Sequence, residues 1–479
     1  MEQKSGPVAA PTVEDTYLAP RFGLIEFVRR LRKDRLSVFS PEVFHRNLIY
    51  NRILFLDSFM VNKPEYIEHV LLTNQQNYVK SHFVRTLLGP LLGNGLLLSE
   101  GAFWRRQRGI AAPAFQPKRI AGFLDVMVAE AEAMAACWQE KREPCDIATE
   151  MMGLTLSIIA RTMFSSDVAA DIETVRRLMD EVVAQRPNLL DLFGLPRWLP
   201  RRHSKGYRVA IQAFDALVAR IIAERRAQGL DRGDLLSMLL AARDPESSEG
   251  MSDKQLRDEI LTIFVAGHET TANALSWTWH LLAQHPEVEA KLHAELDQVL
   301  GGRAPNFADL AKLKYTRMVF EEAMRLYPPA HTISRTAVQE DWIGGVRIPR
   351  GAAIFINIYV THRNPTLWPE PDRFDPERFA PEAVANRHRF AYLPFGGGPR
   401  ICIGGGFAMA ESLTILAIIA QRYRLRAAPG RTVEPIGLVT LRPKHGIWMA
   451  VSRRGASPPD QARSRHRIFD LFRRLSCRQ

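Results

Sequence analysis

Apolar residues recur every three to four positions over most of the chain, a period that predicts a mainly helical protein with short strands in a few places. The longest helical signal starts at Ser252, where Gln255 three residues on completes a capping box, and runs from Leu256 towards Pro286, which stops it. At ~30 residues this helix would cross a whole domain. Residues 122–240 read almost wholly as helix, with Pro187, Pro196 and Pro200 marking a loop and residues 245–250 a polar break. Leu24, Ile25, Phe27, Val28 and Leu31 share a helical face beside Arg29, Arg30, Arg32 and Lys33. Such a basic amphipathic helix most simply packs on the core; a second reading lays it on a membrane surface. A helix is also expected from Pro64 to about residue 72.

Strand patterning is local. Residues 52–56, 59–61, 335–338 and 352–359 read as strands, Gly344 and Gly345 turn a hairpin, and a further strand pair is expected within 438–449. Residues 1–16 show little periodicity and read as a mobile N-terminal segment. Ile468, Phe469, Leu471, Phe472 and Leu475 lie among arginines in a basic C-terminal tail, 453–479, which reads as frayed.

Composition narrows the class. A length of 479 residues would hold several average domains or one large one. The four cysteines, Cys137, Cys145, Cys402 and Cys477, form no CxxC pair, so neither a disulfide framework nor a zinc ribbon is written here. There is no secretory pattern and no uncharged run of the ~20 residues a spanning helix needs, so a soluble, cytoplasmic protein without a transmembrane anchor is expected. The net charge of +12 is uneven: the tail holds eight arginines against two aspartates, +6, half of the total. A basic balance suits nucleic acid, anionic lipid or an acidic protein. No nucleic-acid module accompanies it, so nucleic acid ranks last.

The densest candidate chemistry is residues 395–408, where six glycines crowd around Cys402 just ahead of a helical run. The glycines let backbone press against something flat, and a helix N-terminus favours a thiolate, the form that binds metals. A glycine turn with a buried cysteine is the plain alternative. A phosphate loop fits worse, for there is no Gly-Lys-Ser/Thr ending and no GxGxxG spacing. Elsewhere, Trp104 and Arg108 are four apart on a helix, where indole N–H and guanidinium suit a carboxylate. In the long helix, Gly267 and a Glu269-Thr270 pair interrupt an apolar stretch. A zincin reading of His268-Glu269 fails because residue 272 is alanine. A kink, with Thr270 and Thr271 bonding back to carbonyls, would account for that stretch structurally.

Phe395-x-x-Gly398-x-Arg400-x-Cys402-x-Gly404 resembles the haem-binding signature of the cytochrome P450 family. Residues 266–271 are similar to that family's (A/G)-G-x-(D/E)-T-(T/S) pattern, and Glu322, Arg325 and Arg378 to its Glu-Arg-Arg triad, which fixes a loop. The resemblance runs from about residue 40 to 452, with five motifs in the family's order. It implies a mainly α fold with small β-sheets, the cytochrome P450 fold, in which a single large domain, 17–452, encloses haem b. Cys402 would be the metal ligand. Trp104, Arg108, Arg335 and Arg400 would hold propionates, with Phe395 and Gly267 also against the cofactor. Gly267 would form a notch for dioxygen, and Thr270 with Glu269 would deliver protons.

The implied activity is haem-thiolate hydroxylation of a lipophilic small molecule such as a fatty acid or terpenoid. Electrons would come ultimately from NAD(P)H through an acidic ferredoxin or flavodoxin-type reductase docking near Arg105, Arg106, Lys118 and Arg119, the protein itself being a monomer. By family position the substrate would meet Phe83, Leu88, Leu92, Phe264, Ala266, His331, Thr332, Ile333, Leu438 and Val439; His331 could anchor a polar group, and a surface or core histidine is an equal reading. A thiolate-haem sensor would not need Glu269 and Thr270; a peroxide-driven or isomerising haem enzyme would need no reductase.

Overall fold

A computed structural model of the chain describes residues 33–455, except 54–55, 140–142, 230, 244–247, 249 and, Leu178 and Glu181 apart, 165–203; before residue 33 it describes Glu26, Arg29 and Arg30. The segment 1–16, the apolar positions of the basic helix, the loop of Pro187, Pro196 and Pro200, and the tail beyond residue 455 lie outside the described residues.

Among the described residues the helices that frame the site are, in chain order, α1 (Pro64–Glu68), α2 (His82–Leu92), α3 (Gly101–Ala111), α4 (Pro117–Trp138), α5 (Ile147–Phe164), α6 (Lys205–Gln228), α7 (Leu235–Ala241), α8 (Asp253–Gln284), α9 (Pro286–Leu300), α10 (Lys314–Leu326) and α11 (Gly405–Arg422), with short helical turns at Phe307–Leu310, Ile358–Thr361 and Pro381–Ala385 besides. The expected long helix is α8, and its start is the expected one: Ser252 Oγ accepts from Gln255 N–H while Gln255 Oε1 accepts from Ser252 N–H. Buried on nearly all sides, α8 runs through the main core. Several of its hydroxyls bond back within the helix, Ser276 donating to Ala272 O at 2.6 Å and Thr278 to Ala274 O at 2.7 Å, while Thr262 Oγ1 is buried without a partner. It packs along α5, where Thr155 Oγ1 donates to His268 O at 3.0 Å.

Among the described residues the strands form four small sheets. A five-stranded sheet has the order β1-β2-β8-β5-β3, built from β1 (Leu48–Ile53), β2 (Leu56–Val61), β3 (Tyr78–Lys80), β5 (Thr332–Ala337) and β8 (Ala353–Asn357). Only β2 and β8 pair in parallel there. A second, smaller core lies against this sheet. The hairpin β6 (Asp341–Ile343) and β7 (Val346–Ile348) turns where expected, with Gly344 and Gly345 at φ +58° and +79°.

Three expectations change. The run 52–56 is no single strand: it straddles the end of β1 and the start of β2, which pair antiparallel. The helical stretch 122–240 is broken by β4 (Cys145–Asp146), which joins β12 (Trp448–Arg453) and β9 (Tyr423–Ala427). Residues 438–449 do not hold a strand pair; β11 (Leu441–Pro443) pairs with β10 (Pro435–Gly437), and β12 begins another sheet. The periodicity was strand-like in both pieces, but partners are set by contacts distant in sequence.

Candidate active site

The cysteine loop is shaped by its glycines. Gly398 sits at φ +65°, and a Cβ there would lie 1.8 Å from the Leu71 carbonyl, in the π turn His69–Thr73 that follows α1. Only glycine allows that approach. Cys402 N–H closes the loop onto Phe395 O at 2.9 Å, and the Phe395 ring lies 3.5 Å from where a Gly405 Cβ would stand, at the first residue of α11. Cys402 presents accessible surface, yet burial pushes its thiol up against the pull of the Gly404 and Gly405 amides and Arg108. Accessible surface at such depth is the wall of a chamber.

Beside the loop is an unbalanced cluster of cations. Arg108 donates to Ile401 O at 3.0 Å, and the Trp104 ring lies 5.9 Å from the Arg108 guanidinium and 4.3 Å from that of Arg400. In the sheet register Lys80 stands directly opposite Arg335, a like-charge pairing that is unfavourable unless an anion joins it. Glu100 is that anion in part: it accepts from Lys80 N–H at 2.6 Å and lies 3.3 Å from Arg400 and 3.7 Å from Arg85. One carboxylate among Lys80, Arg85, Arg335 and Arg400 leaves a positive excess. Burial and the two arginines hold the Lys80 ammonium well below its usual range, and burial draws Arg335 down to about 10. Arg400 Nη1 and Arg85 Nε are buried without a partner. These donors fit further carboxylates, as porphyrin propionates would supply. A thiol-bearing, glycine-lined loop next to them fits the flat ring and its metal, so the residues present suit haem.

On α8, Ala266 is exposed and Thr270 half-exposed amid buried neighbours, so they too open on an internal space. Thr270 Oγ1 donates to Ala266 O at 2.7 Å and Thr271 Oγ1 to Gly267 O at 3.1 Å, the back-bonding that distorts helices. A Cβ on Gly267 would meet Ile159 Cδ1 at 2.8 Å, so this half-exposed glycine also allows the close approach of α5, beside the opening at Ala266 and Thr270. Glu269 is buried and held from the C-terminal strands, accepting from Thr440 Oγ1 and Arg442 Nη2, both at 2.6 Å. Sequence reasoning missed Thr440, Arg442, Lys80, Arg85 and Glu100. The one available signal was that a carboxylate in an apolar helix must have a cation somewhere.

The triad is assembled. Fully buried Arg325 forks onto Glu322 at 2.6 and 2.8 Å, and Arg378 Nε stands 3.5 Å from the same carboxylate. Arg325 also donates to the carbonyls of His362, Pro371 and Arg373 at 2.8, 2.7 and 3.0 Å, fixing the loop that leads to the cysteine.

Of the expected lining residues, Leu88 and Leu92 are on α2, with Leu92 buried, and Ile333 reaches the cysteine loop 3.5 Å from a Gly396 Cβ position. Phe83 lies under the Arg35 guanidinium at 5.4 Å, and buried Phe264 packs on His268 at 5.7 Å between ring centroids. Leu438 and Val439 form the turn between β10 and β11. His331 is corrected from a substrate anchor to a structural histidine. It is buried, donates from Nε2 to Leu438 O at 3.1 Å and accepts at Nδ1 from Thr332 Oγ1 at 3.0 Å. Burial draws it down to about 4, so it is neutral and both nitrogens are engaged.

Known proteins agree with this geometry. The family model described as Cytochrome P450 matches residues 19–448. Cyclooctatin synthase of Streptomyces melanosporofaciens is 42% identical over 82% of this chain and 85% of its own length. Cyclooctat-9-en-7-ol 5-monooxygenase of the same organism is 38% identical over 81% and 84%, and pentalenene oxygenase of Streptomyces avermitilis 33% identical over 83% and 88%. The crystal structure of the cytochrome P450DA haem domain superposes with a TM-score of 0.80 at 28% identity, covering 92% of this chain and 98% of that one. With the glycine-cradled thiol, the cation cluster and the opened central helix in place, the chain belongs to the cytochrome P450 family and is a haem-thiolate monooxygenase acting on a lipophilic substrate.

Proposed function

We propose that this monooxygenase hydroxylates a C–H bond of a terpenoid, with electrons passed from NAD(P)H through a separate acidic ferredoxin or flavodoxin-type reductase. The observation that carries the reading is the opening in α8, where a hydroxyl meets the chamber beside a buried carboxylate. A fatty acid would fit the apolar lining equally well. The terpenoid is favoured because the relatives' names describe oxygenation of pentalenene and of cyclooctat-9-en-7-ol.

Cys402 would hold the iron and Trp104, Arg108, Arg335 and Arg400 the propionates, with Lys80 and Arg85 added beside them. Bound haem supplies dioxygen binding and O–O cleavage, which a thiolate ligand favours, as is general for this family. The protein's own part is to bring protons and keep water out. Thr270 holds a proton at Oγ1. Glu269 is gripped by Thr440 and by Arg442, which is partly exposed, so protons enter from the side of β11. The test is product formation from candidate terpenes with and without a reductase; turnover that ignores the reductase would overturn the electron route and favour a peroxide-driven enzyme.

Thr270→Ala is expected to go on consuming reductant and oxygen while product per reductant falls at least roughly tenfold. That lies below the ~10²–10⁴ of a positioned proton donor because water substitutes in part. A product-to-reductant ratio equal to wild type would remove Thr270 from proton delivery.

Arg105, Lys118 and Arg119 are exposed on α3 and α4, whose neighbouring residues Arg108 and Ile120 touch the cysteine loop; Arg106 is half-buried. An acidic partner docked there would lose activity steeply between about 0.05 and 0.5 M salt at fixed partner concentration. A flat salt curve would place the docking surface elsewhere.

A further inference from the structure

Residues 93–100 join α2 to α3, and both ends of this strap are tied by carboxylates. At the far end, Glu100 and the Ser99 carbonyl are bound to Arg400, two residues before Cys402, with Arg400 Nη2 3.3 Å from Glu100. At the near end the strap lies on α8: Asn94 N–H donates to Asp258 Oδ2 at 2.8 Å and Leu96 N–H to Glu259 Oε2 at 2.9 Å. The fit leaves no room for side chains. A Cβ on Gly93, at φ +54°, would lie 2.1 Å from Asp258 Oδ1, and one on Gly95 would lie 2.2 Å from Thr262 Oγ1.

Two adjacent buried carboxylates each hold a single strap amide, and the alternative to those contacts is hydration. Closed, they keep the two hydrogen bonds; open, they regain hydration. Gly93, the first residue of the strap, is also the C-cap of α2, the helix that carries Phe83, Leu88 and Leu92. Releasing the strap therefore frees that end of α2.

We infer that Asp258 and Glu259 are positioning residues that latch the strap to α8 and release it to admit the substrate to the chamber. This rests on the monooxygenase reading and names the device that governs entry to that site. Burial, with Asp258 adding to it, pushes the Glu259 carboxyl up to about 7. Arg257 and Lys254 lie against Asp258, at 3.0 and 3.7 Å, and the strap residues 93–98 carry no charge. A carboxyl raised in the closed state favours closure below its folded value, and closure is lost as pH rises through it.

The experiment follows amide exchange at Asn94 and Leu96 in the ferric holoprotein, corrected for intrinsic rates, from pH 6 to 8. Beside it runs the association rate of phenylimidazole, per unprotonated molecule, read from the haem spectrum. In wild type both rates are expected to rise about tenfold over that range, the factor set by a carboxyl moving from about 7 to its ordinary value on opening. Glu259→Gln keeps an acceptor without the charge, and both rates should stay low and flat. Glu259→Leu removes the acceptor, and both should be high throughout. Should the leucine variant fail to fold, the glutamine variant and the wild-type profile still decide. Leu96 exchange that is the same in wild type and Glu259→Gln across the range overturns the latch. Exchange that responds while phenylimidazole association does not overturns its role in entry. A wild type that binds no haem sinks the monooxygenase reading instead, and amide exchange alone then judges the latch.

Discussion

Cys402→His is expected to abolish monooxygenase turnover and to return the Soret band of the reduced carbon monoxide complex from a strongly red-shifted position to that of histidine-ligated haem. The expectation rests on the loop as it folds. Gly396 and Gly398 take positive φ, Cys402 N–H is pinned to Phe395 O, and Cys402 keeps accessible surface beside the cation cluster. Burial dominates the amides and Arg108 in setting the thiol, so without metal it stays protonated. Binding iron must then expel a proton, and haem uptake should weaken as pH falls. A histidine supplies a neutral nitrogen and less electron density, and O–O cleavage suffers accordingly. A wild type with the ordinary band would show that Cys402 does not bind the iron and that the loop is a structural glycine turn.

Arg325→Ala should destabilise the fold by about 3–5 kcal/mol, because it leaves the fully buried Glu322 carboxylate with only Arg378, at 3.5 Å, to offset its charge. It also strips donors from the carbonyls of His362, Pro371 and Arg373. The readout is the denaturant midpoint together with the fraction of protein that retains haem. Arg325→Lys should recover little, since an ammonium cannot fork onto the carboxylate and reach three carbonyls together. Arg325→Ala with an unchanged midpoint would show that the loop is held without the triad.

What could be read from the sequence was what is local. The capping box at Ser252, the stop before Pro286 and the hairpin at Gly344 and Gly345 depend on neighbours in the chain, and all three occur as expected. The cysteine loop was legible because its glycines and sulfur are contiguous. The environment of Glu269 was not: Thr440, in the turn before β11, and Arg442, on β11, come over 160 residues later, and no period along the chain announces them. The packing role of Gly267 was hidden for the same reason, since the atom that needs the space, Ile159 Cδ1, is on another helix. His331 was ambiguous because a buried histidine and a ligand-binding one have the same signature until both nitrogens are traced.

The wide sequence separation of the chamber's walls also orders events during synthesis. Lys80 meets Arg335, Ser99 meets Arg400, and Leu71 backs the cysteine loop, each across more than 250 residues. At ~5–20 residues per second, residue 402 leaves the ribosome some tens of seconds after residue 100. Through that interval Lys80, Arg85 and Arg108 have no chamber to line and the apolar flank of α2 has no cover. The chamber therefore cannot close before the cysteine loop has emerged, however early the helices of the N-terminal third form.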